Sequence, residues 1–290
     1  MIKKRVDILE NFLLSLYNAN ICLIDNNSIE FLTYVIDKIP PKKIFTPYDV
    51  VLIPTWVWEE ICDSPHRKNY AYKIGNSSKY LHIINEYDYV YLVDHKEAEL
   101  FRLFTHACYV HSILYGFLKK DIQCGKPLEE LPPYKQWLKL FDNQALKGSE
   151  LSTGRKQRKN GGEIFITVLT YILACYYSSH IANITIISHD RDTYRYVKTA
   201  AEKIEKDEIF KNKKHCSITS KSNDCLLYEW KKLGYMSSEE IEVLVHKHRQ
   251  ARRVKFTRRK EDNSIEEKEI ILDNIQFLVL IKDNDVHIIF

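Results

Sequence analysis

Several features are scarce or missing in this 290-residue chain, and each absence excludes a class of protein. No run of about 18 apolar residues occurs, so we predict no membrane-spanning segment. The seven cysteines are odd in number, widely scattered and without a C-x-x-C pair, which argues against a disulfide framework or zinc knuckle. Lys3, Lys4 and Arg5 precede an apolar stretch, but Asp7 and Glu10 interrupt it, which is unlike a signal peptide. We therefore expect a cytoplasmic protein.

The overall composition is that of an ordinary globular protein. Hydrophobic residues make up 45% of the chain and charged residues 28%, and the formal net charge is +4. A chain of this length is expected to form one large domain or two. The mild positive charge permits a polyanionic partner without requiring one.

Short apolar runs alternate with amphipathic segments along most of the chain. Strands are predicted at residues 20–25, 50–53, 88–94, 184–187 and 216–219, and helices at residues 6–17, 29–39, 55–62, 95–118, 134–141, 193–206, 224–233 and 237–249, with another helix opening at Glu163. The prolines at 40 and 41 are predicted to stop a helix and open a loop. This alternation predicts a three-layer α/β/α fold with a mostly parallel sheet.

Two segments depart from the alternation. Residues 119–162 are predicted to be a helical and loop insertion that ends in a mobile basic loop. Residues 251–290 are predicted to be a basic segment and a small antiparallel β extension, with strands at 269–272, 276–281 and 286–290. We therefore assign residues 1–250 to the main domain and residues 251–290 to the extension.

Four acids occupy corresponding places in the predicted fold. Asp25 and Asp190 follow predicted strands, while Glu60 and Glu163 lie on helices that begin near strand ends. Ligands collect at the carboxyl ends of the strands in open α/β sheets. Carboxylates brought close together repel one another unless they bind a cation or share a proton. The acids therefore predict a site for Mg²⁺ or Mn²⁺, because these ions prefer oxygen ligands. Such a site leaves room for a phosphodiester.

Each acid also has a simpler explanation that the sequence leaves open. Asp25 and Asp190 would serve as N-caps, and Glu163 would interact favourably with the dipole of its own helix. Glu60 would be a solvated helix residue, and Glu59 could take its place as the site residue. Asp192 is interpreted mainly as the N-cap of the helix at residues 193–206, with metal binding as its other role. His189 is expected to be an exposed strand-end residue without a catalytic role.

The order and local sequence of the acids resemble those of the PIN-domain nucleases. Asp25-Asn26-Asn27 is similar to that family's D-T-N motif, with Asn26 in place of threonine. A proline and a short helix precede Glu60, as they precede the second acid of the family. Gly162-Glu163 resembles its third motif, and Ser188 to Asp192 resembles T-x-D-x-D with serine in place of threonine. The similarity covers roughly residues 20–234, with about a hundred residues between the second and third acids.

This resemblance implies a function. It implies a divalent-metal-dependent endoribonuclease in which Asp25, Glu60, Glu163 and Asp190 hold Mg²⁺ or Mn²⁺ and water attacks the phosphate, with Asn27 and Ser188 in supporting roles. Single-stranded DNA is the alternative substrate. A regulatory protein partner and a homo-oligomer are left open, and no membrane association is expected. By analogy alone, the setting would be a toxin or a phage-defence effector.

Two basic clusters are candidate contacts to the phosphates of a nucleic acid. The first comprises Arg155, Lys156, Arg158 and Lys159, directly before Glu163, and the second lies in residues 247–260. Lysine and arginine neutralise backbone phosphates without reading sequence. The candidate contacts in the second cluster are Arg252, Arg253, Arg258 and Arg259. Solvated loops are the alternative explanation.

Two other functions compete with a PIN-like nuclease. Toprim-like nucleases also place a D-x-D after a strand, as in Asp190-Arg191-Asp192, but they expect a glutamate after an earlier strand where this chain has Asp25. A non-catalytic nucleic-acid-binding or regulatory module with the same fold would use only the basic residues.

Overall fold

The structure is a computed structural model that describes residues 2–77, 80–146, 148–151 and 154–290. Strands β1 to β9 span Ile2–Lys3, Ala19–Ile24, Val50–Pro54, Leu81–Ile84, Ile181–Ile187, Ser217–Lys221, Arg252–Arg259, Ile265–Leu272 and Val286–Ile288. Helices α1 to α14 span Val6–Ser15, Asn26–Tyr34, Pro41–Phe45, Thr55–Cys62, Pro65–Ser77, Tyr89–Leu92, Glu97–Ala107, Ser112–Phe117, Tyr134–Leu140, Gly161–Tyr176, Arg191–Ile204, Asn223–Lys232, Ser238–His248 and Asn274–Leu280. Short 3₁₀ turns occupy Glu86–Asp88, Cys108–Val110 and Leu128–Glu130, and π-helical turns occupy Leu118–Gln123 and Phe141–Ala145.

A parallel sheet forms the centre of the fold. Its strand order within the described ranges is β1-β4-β3-β2-β5-β6, and every neighbouring pair is parallel. Helices flank this sheet, and all five residues of β3 are buried, as expected for a strand covered on both faces. The predicted α/β class with a mostly parallel sheet is confirmed.

The direction in which the chain adds strands reverses next to β2. After β2 the chain builds outward through β3 and β4, and it then returns to place β5 on the other side of β2. A crevice outside the carboxyl ends of two such strands is where open α/β sheets bind ligands. The end of β2 is held to the end of β5 by a hydrogen bond from the N–H of Asp25 to the carbonyl of Ile187, at 3.0 Å.

The predicted antiparallel extension is confirmed, but its elements differ from the prediction. The order is β8-β7-β9, so the basic residues 252–259 form the middle strand. Residues 276–281 are not a strand, because α14 begins at Asn274 with a capping box made by Asp273 and Gln276. Buried side chains of both sheets belong to one continuous hydrophobic core.

The segment at 88–94 was wrongly predicted to be a strand. The strand is β4 at Leu81–Ile84, which pairs with β3, and the side chain of Asn85 then accepts a hydrogen bond from the N–H of Tyr87 and starts a turn. The residues after this turn form α6, which buries Tyr89 and Val90. The alternation of aromatic and aliphatic residues in this segment therefore indicated that the side chains are buried, but it did not indicate an extended backbone.

Two predicted elements differ from the structure, and a third agrees with it. The helix predicted over 95–118 breaks, because α7 ends at Ala107 and α8 begins again after His111, whose imidazole accepts from the N–H of Leu114. The predicted loop after Pro40 contains α3, since proline is well suited to the first turn of a helix. The short helix predicted near residue 134 is confirmed as α9.

Aromatic packing ties the inserted segment to the main fold. Trp137 of α9 is fully buried and meets the rings of Phe101 and Phe104 edge-on, with centroids 5.3 and 5.1 Å away. Phe104 also packs on Phe165 of α10, at 5.3 Å. The helix that carries Glu163 therefore rests on this aromatic cluster. No helix in the described parts of the chain is long and apolar enough to cross a membrane.

Candidate active site

Asp25 lies directly after β2, where the sheet reverses. It is the N-cap of α2, and its carboxylate accepts hydrogen bonds from the N–H of Asn26 at 2.7 Å and from the hydroxyl of Ser188 at 3.1 Å. Asp25 is 8% exposed and Ser188 is 1% exposed. The Ser188 hydroxyl therefore orients the Asp25 carboxylate, while its supporting role in a metal site stays a prediction.

Asp190 occupies the equivalent place after β5. Its carboxylate accepts from the N–H of Asp192 at 2.7 Å, and its own N–H donates to Ser188 Oγ at 3.1 Å. Asp190 is therefore the N-cap of α11, and the prediction that Asp192 is the cap was wrong. The chain enters the helix two residues earlier than predicted, which leaves Asp192 exposed in the first turn.

The two adjacent glutamates of α4 have different surroundings. Glu60 faces the cavity that contains Asp25 and Asp190. Glu59 instead accepts from the guanidinium of Arg158 at 2.8 Å, and the same guanidinium lies 4.2 Å from the ring centroid of Trp56. Geometry therefore favours Glu60 as the site residue.

Glu163 reaches the same cavity because α10 begins in close contact with α4. Asn160 precedes the helix with a φ of 62°, and a Cβ at Gly161 would lie 3.0 Å from Cβ of Arg158 and 3.4 Å from the ring of Trp56. A Cβ at 161 would therefore crowd Arg158, which would have to shift by a few tenths of an ångström, and would stand in van der Waals contact with Trp56 of α4. The start of α10 thus packs closely beside α4, the helix that carries Glu60.

One cavity of about 280 Å³ contains all the predicted acids. The residues that line it are Asp25, Asn27, Glu60, Gln157, Arg158, Lys159, Asn160, Gly162, Glu163, Asp190 and Asp192. These acids come from two strand ends and from helices α4, α10 and α11, and they lie up to 167 positions apart, the separation between Asp25 and Asp192. The cavity opens at the crevice between β2 and β5.

The acids in this cavity perturb one another. Burial raises the pKa of Asp25 to about 6, with the N–H of Asn26 opposing and Asp190 adding to the rise. Burial, then the charge of Asp25, raises the pKa of Glu60 to about 7. Burial, then Asp25, raises the pKa of Glu163 to about 8, with smaller contributions from Asp190 and Glu60. At neutral pH the cluster therefore retains protons unless a cation compensates its charge.

The donor atoms of the cluster fit a hard divalent cation. They are carboxylate oxygens with the Asn27 amide beside them, which are ligands that Mg²⁺ and Mn²⁺ prefer. Within the described residues, no group of three His, Cys, Asp or Glu side chains is arranged to hold a metal. Mg²⁺ is usually bound through only one or two carboxylates and keeps several waters. Asp25 and Asp190, at the adjoining strand ends, are the two carboxylates of the cluster that hydrogen bonds hold in place.

The first basic cluster is largely paired with acids of the chain itself. Arg155 binds Asp63 at 2.6 Å, while Lys156 and Arg158 bind the buried Asp142 at 3.2 and 2.9 Å. Lys159 differs, because it is exposed on the cavity wall and makes no ion pair in the described ranges. Lys159 is therefore the member of this cluster best placed to meet an anion.

The second basic cluster divides along β7. Arg252 and Arg253 line a further cavity that shares Asn27 and Asp190 with the acid cavity. Arg258 pairs with Asp283 at 3.1 Å, and Arg259 is exposed outside both cavities. Only the first two of these predicted contacts therefore lie beside the acids.

His189 was wrongly predicted to be exposed. It is half-buried, and the guanidinium of Arg252 contacts both nitrogens of its ring. Burial, then the charge of Arg252, lowers the pKa of His189 to about 4. Its position between Ser188 and Asp190 was a signal of proximity to the site, but nothing in the sequence indicated the contact with Arg252.

Comparisons with protein-family models, with curated proteins and with solved structures found no match to this chain.

Proposed function

We propose that this protein is a divalent-metal-dependent nuclease that hydrolyses phosphodiester bonds of RNA. The observation that supports this most directly is the convergence of Asp25, Glu60, Glu163 and Asp190 in one cavity at the sheet reversal. Their order along the chain also resembles that of the PIN-domain nucleases. Carboxylates that are buried together without a compensating basic partner are more useful for binding a cation than for stabilising a fold.

The proposed roles of the residues follow from their contacts. Asp25 and Asp190 would hold the ion, because hydrogen bonds to Ser188 and to helix N–H groups fix both carboxylates. Glu60 and Glu163 would complete the binding of the ion and of its waters, and they lose protons when it binds. A bound Mg²⁺ or Mn²⁺ supplies an activated water and stabilises charge on the phosphate. Lys159 would attract the phosphate to the cavity wall.

Cleavage assays with matched variants test this proposal. Asp25→Asn and Asp190→Asn are expected to abolish the cleavage of single-stranded RNA in Mg²⁺ or Mn²⁺, and EDTA is expected to abolish wild-type cleavage. Glu60→Gln and Glu59→Gln remove the same charge from neighbouring positions, and only the first is expected to lose activity. Cleavage that persists in the two aspartate variants would refute the proposal.

A non-catalytic nucleic-acid-binding module is the second candidate. The observation that favours it is that Asp25 and Asp190 both serve as N-caps, a structural role that requires no metal. RNA binding without cleavage under every divalent ion tested would select this module. Cleavage that requires Asp192 and Asp190 but not Asp25 would instead indicate a Toprim-like site.

The biological setting remains a proposal by analogy. Action as a toxin or as a phage-defence effector predicts that expression of the wild-type chain, but not of Asp190→Asn, arrests cell growth with RNA degradation. Equal growth of cells expressing either chain would argue against that setting.

A further inference from the structure

A second cavity, of about 500 Å³, adjoins the acid cavity and shares Asn27 and Asp190 with it. Its other walls come from the start of α11, the end of α13 and the first residues of β7. Its volume is within the range of about 300–1,000 Å³ that is typical of ligand pockets. The C-terminal sheet thus forms part of a cavity that opens beside the acids.

Arginines dominate the charge of this cavity. Arg191, Arg252 and Arg253 line it, and Asp190 is the acid among its lining residues. Arg191 pairs with Glu269 at a partly exposed position, where an ion pair contributes little. Arg253 is exposed and makes no ion pair within the described parts of the chain. The cavity therefore has more positive than negative charge.

Arg252 is a mostly buried cation without a close carboxylate of its own. Its side chain is 14% exposed, and the carboxylate nearest to it, Asp224, lies 4.0 Å away. Asp224 is already bound by Arg249, through contacts of 3.1 to 3.3 Å. Its guanidinium contacts the ring nitrogens of His189 and lies 5.7 Å from the ring centroid of Phe290. A buried guanidinium in such surroundings is suited to bind an anion.

The remaining walls offer groups that suit a nucleobase. His248 lies on the cavity wall and stacks on Tyr34, with ring centroids 3.9 Å apart. The exposed amide of Gln250 stands beside it and can donate and accept hydrogen bonds. Arginines for a phosphate and an aromatic ring with an amide for a base are the elements that recognise single-stranded nucleic acid.

We propose that this cavity is a nucleotide subsite. Arg252 and Arg253 bind the backbone phosphate next to the scissile one, and His248 and Gln250 contact the base. The assignment of the neighbouring phosphate as scissile rests on the proposed nuclease function, whereas the binding of a nucleotide does not. The consequence is that the C-terminal sheet is part of the substrate site.

Fluorescence anisotropy with a labelled single-stranded RNA of mixed sequence, in EDTA, tests the subsite without any cleavage. Arg253→Gln is compared with Arg259→Gln, because both side chains are exposed and lie on the same strand and face, six positions apart. Loss of one phosphate contact is expected to weaken binding about tenfold for Arg253→Gln and to lower the salt dependence, d log K/d log[salt], by about 0.7. Arg259→Gln is expected to change neither quantity beyond about twofold.

A second variant probes the buried arginine. Arg252→Lys keeps the charge but removes the planar fork of donors, so it is expected to weaken binding while leaving the thermal unfolding temperature close to that of the wild type. If Arg252→Lys fails to fold, the comparison of Arg253 with Arg259 still decides the question.

The outcomes separate the subsite from the nuclease proposal. Weaker binding by Arg253→Gln alone supports the subsite, even if the protein cleaves nothing. Equal weakening by Arg253→Gln and Arg259→Gln, or no RNA binding by the wild type in EDTA, overturns the subsite. RNA cleavage that survives Asp25→Asn and Asp190→Asn overturns the nuclease proposal and leaves the binding comparison intact.

Discussion

Replacement of Glu163 by glutamine is expected to stabilise the metal-free protein at pH 8. The pKa of this carboxyl rises from 4.5 in the unfolded chain to about 8 in the folded one, because of burial and the neighbouring charges of Asp25, Asp190 and Glu60. A raised pKa means that the folded state binds the proton more tightly. Stability from this group is therefore complete below pH 4.5 and declines as the pH rises to about 8. Glutamine keeps the shape of the neutral acid and removes this loss.

The size of the effect follows from the difference between the two pKa values. At about 1.4 kcal/mol for each pKa unit, the full difference sets an upper limit of about 5 kcal/mol. Part of the side chain reaches solvent, which screens its charge, so we expect roughly 2 kcal/mol. This corresponds to an unfolding temperature several degrees higher. Below pH 4.5 the variant and the wild type should be equally stable.

Urea or thermal unfolding in EDTA between pH 4 and pH 8 measures this difference. Glu59→Gln is the matched control, because it removes the same charge from a glutamate that is bound to Arg158, and it is expected to give no gain. Adding Mn²⁺ should stabilise the wild type by about 2.7 kcal/mol at a hundredfold excess over Kd, and should stabilise Glu163→Gln less. A variant that is no more stable than the wild type at pH 8 would refute the reasoning about this cluster.

Three further predictions concern other contacts. Ser188→Ala removes the hydroxyl that donates to Asp25, so it is expected to cost about 1 kcal/mol of unfolding free energy. It is also expected to weaken Mn²⁺ binding measured by calorimetry, and an unchanged Mn²⁺ affinity would contradict the orienting role. Asp207→Asn leaves Arg102 and His106 without their buried carboxylate, so chemical unfolding should show a loss of about 3 kcal/mol of unfolding free energy. A loss below about 1 kcal/mol would mean that water reaches these side chains. Trp137→Ala opens a cavity beside Phe101 and Phe104, and it should cost about 3–5 kcal/mol in urea unfolding; Leu140→Ala, at a partly exposed position one turn on, is the control and should cost far less.

The fold class could be predicted from local patterns because they record burial directly. The apolar runs before Asp25 and Asp190 are strands in the structure, and the three- and four-residue spacing after Glu163 is a helix. The prediction failed where burial is not periodic. Residues 88–94 form a turn and a short helix, and residues 276–280 belong to a helix whose capping residue Asp273 comes directly after β8.

The candidate site could likewise be predicted from the sequence only in part. Asp25 and Asp190 could be named from the sequence, because acids that follow strands of a parallel sheet meet at one edge. Glu60 and Glu163 were named from helices that begin near strand ends and from the resemblance to the PIN-domain motifs. Which acid caps α11 could not be predicted, because two aspartates two positions apart both suit the role. The choice of Glu60 over Glu59 depended on Arg158, which lies 99 positions from Glu59.

The sequence by itself determined the alternation of strands and helices, the acids that follow them and the basic character of residues 252–259. Only the tertiary structure decided that Asp142, Asp63 and Glu59 pair with the first basic cluster, and that the C-terminal sheet brings Arg252 and Arg253 beside Asp190. The physical reason is that the spacing of apolar and polar residues along one segment shows which of its faces can be buried. The pairing of charges depends on distances across the fold, which no local pattern records.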